Sequence, residues 1–294
     1  MYTTVDDVAT AHESLSQMET RAKELIQQRR EKEAISLIGE IVTAREKRGA
    51  KALGTTIWIE QMAFCLRKIG QRETSALLFE RAYKFYEERL GARHPATTFA
   101  HRQVAFALAS CSDFERAVDA LKIAAGNSTE MLGLSCVATA TCYSRMLECL
   151  RKLERWSEVA EIGRAYLADC RDSKADDWRE QLISILRSIS HAYRKLGDCE
   201  QAVAFLEPAV HYGRLQWGEA DSRVMRDLRW LSRCYLYKGD LSRSLELLQH
   251  VLMVHTSTHG ASHLSTLAVE RELRNRRVKV QKRLGYARRK AQKQ

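Results

Sequence analysis

Residues 70–97 read GQRETSALLFERAYKFYEERLGARHPAT, and this stretch decides the fold. Gly70 marks a turn, and five positions later stands a small side chain, Ser75. Phe79, Ala82, Phe85 and Tyr86 follow at steps of three and four, the spacing that gathers apolar groups on one face of a helix. Leu90-Gly91 closes the run, because glycine most readily takes the left-handed conformation in which helices stop. The stretch predicts a turn, an amphipathic helix and a second turn.

Outward from it the same pattern recurs. A turn residue followed five positions later by a small residue that opens an apolar helix is found at Arg29 to Ala34, Gly70 to Ser75, Ser112 to Ala117, Glu154 to Val159, Gly197 to Ala202 and Gly239 to Ser244. The closing residues of these segments, here called anchors, stand at positions 34, 75, 117, 159, 202 and 244. Their nearly constant period, about 42 residues, is the mark of stacked helix pairs. Seven positions before the turn stand Ala63, Ala105, Leu147, Ser190 and Ser232, and four before it Leu66, Leu108, Leu150, Tyr193 and Tyr235. Mostly small side chains in one column let paired helices approach, and large ones in the next fill the groove between them. The first pair is expected from about Ser14 to Arg29 and Glu33 to Arg48. A last helix from about Leu264 to Leu284 carries Val269, Leu273, Val280 and Leu284 on one stripe and covers the apolar face that a terminal repeat would expose.

The junction Leu90-Gly91-Ala92-Arg93-His94-Pro95-Ala96-Thr97 resembles the L-G-x-x-H-P-x-T junction of kinesin-light-chain-type tetratricopeptide (TPR) repeats. Gly260-Ala261-Ser262-His263-Leu264-Ser265-Thr266 is a second copy and Trp217-Gly218-Glu219-Ala220-Asp221-Ser222 a decayed one. Each Gly stands at the same offset from its anchor: Gly91 from Ser75, Gly218 from Ala202 and Gly260 from Ser244. The resemblance covers about residues 13–285. It implies an all-α solenoid, a right-handed superhelix of about six 42-residue TPR-like helix pairs plus a C-terminal capping helix. The expected organisation is a short segment over 1–12, the solenoid over 13–263, the cap over 264–285 and a basic tail over 286–294. The resemblance also implies that the first helices line a concave groove, with the residue ten before each turn pointing into it. That column reads Glu60, Arg102, Ser144, Arg187 and Arg229. The paired Asn residues that clamp peptide backbones in kinesin light chains are absent from it, and no peptide-binding residue carries over. About a dozen residues precede the first expected helix, so the long coiled coil of a conventional kinesin light chain is not expected either. The column arginines either grip carboxylates of a partner in two-point fashion or pair with an acid on the neighbouring repeat.

The formal net charge is +11 over 294 residues. Residues 271–294 hold eleven Lys or Arg against one acid, Glu272, so this segment is +10 and the remainder about +1. Arg274, Arg276, Arg277, Lys279, Lys282, Arg283, Arg288, Arg289 and Lys290 are the candidate polyanion contact; the alternative is a solvated helix end. Acidic segments of other proteins, with tubulin or axonemal proteins as candidates, fit better than RNA. Only Tyr286 lies among the tail charges, too little for a base-stacking surface. A ribonucleoprotein component contacting RNA is the alternative role.

Charged residues interrupt every apolar run short of about 18 residues, so no spanning helix and no membrane insertion are expected. Asp6, Asp7 and Glu13 argue against a leader peptide. The eight cysteines lack a C-x-x-C pair and are expected to be reduced, partly buried small hydrophobes. Asn127-Ser128-Thr129 matches a glycosylation sequon but is expected to be a polar inter-helix turn. Arg67, Arg151 and Arg194, three before their turns, are expected to complement helix dipoles, and Trp58, Trp156, Trp178, Trp217 and Trp230 to pack on apolar faces. His255, His259 and His263 are four apart, but Gly260 intervenes, and no metal site is expected. With no nucleotide loop, metalloprotease motif or nucleophile elbow, the expectation is a non-enzymatic scaffold or adaptor without cofactor or small-molecule substrate. Its expected setting is the cytoplasm, in a cytoskeletal, microtubule or ciliary/flagellar assembly.

Overall fold

A computed structural model describes residues 5–48, 53–170 and 177–291, with side chains described over 15–48, 53–170 and 177–282. These residues form thirteen helices and no strand, and the chain divides after Gly133 into two compact units. The first holds three pairs: α1 (Val5–Gln27) with α2 (Glu31–Lys47), α3 (Leu53–Lys68) with α4 (Arg72–Leu90), and α5 (Pro95–Ser110) with α6 (Phe114–Leu132). The second holds α7 (Val137–Lys152) with α8 (Trp156–Asp169), α9 (Arg179–Lys195) with α10 (Cys199–Trp217), α11 (Ser222–Lys238) with α12 (Leu241–His259), and then α13 (Leu264–Ala291). Within each unit a helix packs on its neighbours in sequence, and α7 also packs on α9. That is the nearest-neighbour logic of a repeat solenoid.

The turn inside each pair is one structure made six times. Its turn residue is left-handed throughout: Arg29, Gly70, Ser112, Glu154, Gly197 and Gly239 have φ of 58°, 87°, 65°, 57°, 86° and 97°. In five turns the next residue donates its N–H to the carbonyl of the large residue four before the turn: Arg30 to Leu25, Gln71 to Leu66, Asp113 to Leu108, Arg155 to Leu150 and Asp198 to Tyr193. The bond ties up a carbonyl that a helix end would leave unpaired. Asp113, Asp198 and Asp240 then accept the N–H of Arg116, Gln201 and Arg243 and start the second helix.

The two small columns meet. Ala34, Ser75, Ala117, Val159, Ala202 and Ser244 are all fully buried, and Ala63, Ala105, Leu147, Ser190 and Ser232 are at most 4% exposed. Where a serine occupies either column, its hydroxyl bonds the carbonyl of the facing residue: Ser75 to Ala63 and Ser190 to Ala202, both at 2.8 Å, and Ser232 to Ser244 at 2.6 Å. A buried hydroxyl with its bond made is tolerated at closest approach, where a longer side chain would overpack.

Local departures from the expected pattern have identifiable causes. Asn127-Ser128-Thr129 is not a turn; it lies inside α6, where Thr129 bonds back to the Ala125 carbonyl and the Asn127 amide donates to the Ala92 carbonyl. The real junction follows at Gly133, φ 82°, which stands from Ala117 as Gly91 stands from Ser75. In the fourth pair Gly163 occupies the column held elsewhere by Phe79, Leu121, Leu206 and Leu248. A Cβ there would lie 2.5 Å from Cγ1 of Ile189, so Ile189 takes that space. Finally, α13 continues past Leu284 to Ala291, where Ala287, Arg288, Arg289, Lys290 and Ala291 favour a helix by propensity despite Gly285. No described helix is long and apolar enough to cross a membrane.

Candidate functional site

The column ten before each turn comes out mixed. Glu60 is 8% exposed and accepts a hydrogen bond from the Tyr86 hydroxyl at 3.0 Å. Burial pushes its carboxyl pKa up, the Tyr86 bond opposing. The half-buried Arg102 lies over the Phe99 ring, 5.3 Å from its centre, and has no acidic partner among the described residues. Ser144 bonds Ser184 at 3.0 Å.

Arg187 reaches one repeat onward to Asp227, with Nε 2.6 Å from Oδ2, and Arg229 does the same to Glu272 at 2.6 Å. Both arginines are therefore held within the chain rather than presented to a carboxylate outside it. Asp227 has no exposed surface, and burial raises its pKa against the lowering effect of Arg187.

The basic segment divides by helical face. Arg276 lies on the stripe of Val269, Leu273 and Val280 and is 5% exposed. Its Nη1 donates to the Ser232 carbonyl at 3.0 Å and to the Ser244 hydroxyl at 2.7 Å. As a polyanion contact Arg276 is thus corrected: it is a packing residue, inserted into the last anchor pair, where the Ser232 and Ser244 hydroxyls add acceptors that alanines would lack. Arg274 pairs with Glu270 at 3.2 Å. Arg277, Lys279 and Lys282 are exposed and make no ion pair among the described residues. The side chains of Arg283, Arg288, Arg289 and Lys290 lie outside the described residues, although the helix runs through their positions.

All eight cysteines are free and five are buried; burial pushes the Cys149 thiol up to about 11. The His255, His259 and His263 rings form a run with centres 5.6 and 4.9 Å apart. His263 serves the junction, its Nδ1 accepting from the Ser265 N–H at 3.2 Å, as His94 accepts from Ala96 at 3.1 Å. Trp58 and Trp178 are buried, but Trp156, Trp217 and Trp230 are half-exposed. Arg223 lies 3.8 Å over Trp217.

One cluster in the second unit has no counterpart among the sites expected from sequence. Lys195 is 5.3 Å from the centre of the Trp156 ring, against which His191 stacks. Arg194 and Arg226 lie over Trp230 at 5.7 and 5.4 Å. Arg151, at the end of α7, is close enough that its charge acts on His191, and Arg194 and Arg226 act on Arg151. Burial chiefly, and then Arg151, Arg194 and Lys195, hold the His191 imidazole down at about 4. The signal lay in Arg151 and Arg194, each three before its turn, and in Trp230 one repeat onward.

Helix pairs with this period, this pair of small columns and a Gly-x-x-His or Asp junction define a TPR-type repeat solenoid, and known structures agree. The fold is similar to TPR-like repeats of a putative kinesin light chain from Podosopora anserina, at 18% identity over 68% of this chain and 95% of that one, TM-score 0.57. It is also similar to BtubC (BKLC) from P. vanneervenii, at 15% identity, 86% and 91% coverage and TM-score 0.58. The apo form of the quorum sensor NprR from B. thuringiensis matches at 12% identity, 88% and 68% coverage and TM-score 0.58. At such identities the likeness is one of fold. No protein-family model and no curated protein sequence matches the chain.

Proposed function

We propose that the chain is a non-enzymatic scaffold that binds other proteins, and that the exposed basic face of α13 docks an acidic segment of a partner. The observation that carries this is the sorting of charge on α13. Arg276 and Glu272 are turned into the last repeat, whereas Arg277, Lys279 and Lys282 face solvent with no ion pair among the described residues, in a segment holding +10 of the chain's +11. A run of like charge costs stability through self-repulsion unless a partner neutralises it. A cytoplasmic, cytoskeleton-associated setting, in a microtubule or ciliary assembly, suits such a face because tubulin tails are acidic. The groove column contributes Arg102 in the first unit, which has no acidic partner among the described residues.

The test compares the intact chain with Arg277→Glu/Lys279→Glu/Lys282→Glu for binding to a polyglutamate peptide and to single-stranded RNA across a salt series. The expected result is peptide binding that the charge reversal abolishes, with a shallower salt slope than phosphate neutralisation gives, about 0.7 unit of log affinity per log salt per phosphate contact on a single strand. Tighter RNA binding with the steeper slope would replace this reading by a ribonucleoprotein role.

A further inference from the structure

Several arginines of the second unit are matched to acids, Arg155 to Glu158 at 2.5 Å, Arg187 to Asp227 and Arg229 to Glu272. Those of the cluster around Trp156 and Trp230 are not. Arg151, Arg194, Lys195 and Arg226 bring four positive charges from α7, α9 and α11, and none makes an ion pair or a side-chain hydrogen bond among the described residues. The acid whose charge reaches Arg151, Glu148, is tied to Arg145 at 2.8 Å. Nε of Arg151 and both ring nitrogens of His191 are buried without a hydrogen-bond partner. Buried donors are rarely left so.

We infer that this cluster is a binding site for a phosphorylated segment of a protein partner, the phosphate monoester seated among Arg151, His191, Arg194 and Arg226. The inference rests on the scaffold reading only in taking the ligand to be a protein; the site is distinct from the basic face of α13. Three features select the ligand. A phosphate monoester carries about −1.5 to −2 charges and three acceptor oxygens, which suits four uncompensated cations better than the single charge of a carboxylate. Guanidinium groups laid on indole rings are held in place with their N–H edges free, and Arg forks grip phosphate in two-point fashion. Each indole already has a cation or imidazole against it, so a nucleobase would have to compete with these groups for the ring.

The experiment uses the intact chain and reads Trp fluorescence together with the His191 ring resonances. The probes are a Gly/Ala peptide bearing one phosphoserine, the same peptide unphosphorylated, the same with Glu at that position, inorganic phosphate, and a single-stranded oligoribonucleotide. The phosphopeptide is expected to bind on the order of tenfold tighter than the Glu and unphosphorylated peptides and tighter than phosphate alone. His191 resonances should shift, and Arg194→Gln/Arg226→Gln should remove the binding while leaving thermal unfolding unchanged. If that double variant unfolds, Lys195→Gln, at an exposed position, must weaken binding instead. Equal binding of the Glu peptide, phosphate binding as tight as the phosphopeptide, preference for the oligonucleotide, or no binding of any probe would each overturn the site. None of these outcomes bears on α13, whose polyglutamate binding is read separately.

Discussion

The six pair turns place a residue in left-handed backbone, and three of them use Arg29, Ser112 and Glu154 where the others use glycine. Outside glycine that conformation costs about 1–2 kcal/mol, partly offset because glycine loses more freedom on folding. Glu154→Gly is therefore expected to stabilise the chain by roughly 0.5–1 kcal/mol, and Gly197→Ala, at the equivalent turn, to destabilise it. Chemical denaturation of both reads the sign. At His191 the folded pKa of about 4 lies below the ordinary 6.5, so the unfolded chain takes up the proton first as the pH falls. The associated stability is complete above about pH 6.5 and is lost on the way down to about pH 4. His191→Gln should flatten the dependence of the unfolding midpoint on pH between about 7 and 5, and an unaltered dependence would refute the assignment. The anchor column was legible because closest approach restricts side-chain size, and the turn column because it keeps a fixed spacing from the anchors even where Arg29, Ser112 and Glu154 replace glycine. The turn expected at Asn127 was not a turn, because turn-forming composition there competes with a helix register fixed by Ala117, Leu121 and Ala124, all fully buried. That reading hid Gly133, although its spacing from Ala117 matched the other junctions.

At the scale of helices, the small columns meet inside each pair and are fully buried there or nearly so. Ala117→Leu and Ala202→Leu should each cost about 1–3 kcal/mol by overpacking, and unchanged thermal unfolding in both would dispose of the column assignment. Contact from α9 to α11 includes a buried ion pair, and there the asymmetry of charge burial makes a sharper prediction. Arg187→Ala leaves the Asp227 carboxyl buried without its cation and should cost about 3–5 kcal/mol at neutral pH. Arg187→Met/Asp227→Leu, which removes both charges, should recover most of that loss. Urea denaturation of the single and double variants decides it. Which column arginines are free and which are paired could not be read from the sequence, because the acids that claim them stand 40 and 43 residues away, one repeat onward. Arg276 was more nearly readable: three positions after Leu273 and four before Val280, it falls on the apolar stripe of α13.

Over the whole molecule, composition located the charge correctly but not its use. Among the described residues of 271–282, Arg276 is buried under the final repeat while Arg277, Lys279 and Lys282 face solvent, a division set by helical phase. The cluster around Trp156 and Trp230 went unseen for a related reason, since it is assembled from four helices of three repeats and no single stretch shows it. The role proposed for the chain is that of a protein-binding scaffold. Its most direct test is crosslinking in cells followed by capture, comparing the intact chain with Arg277→Glu/Lys279→Glu/Lys282→Glu, with and without nuclease. The account predicts protein partners with acidic segments that survive nuclease and vanish on charge reversal. Partners lost to nuclease, or unaffected by the reversal, would contradict it.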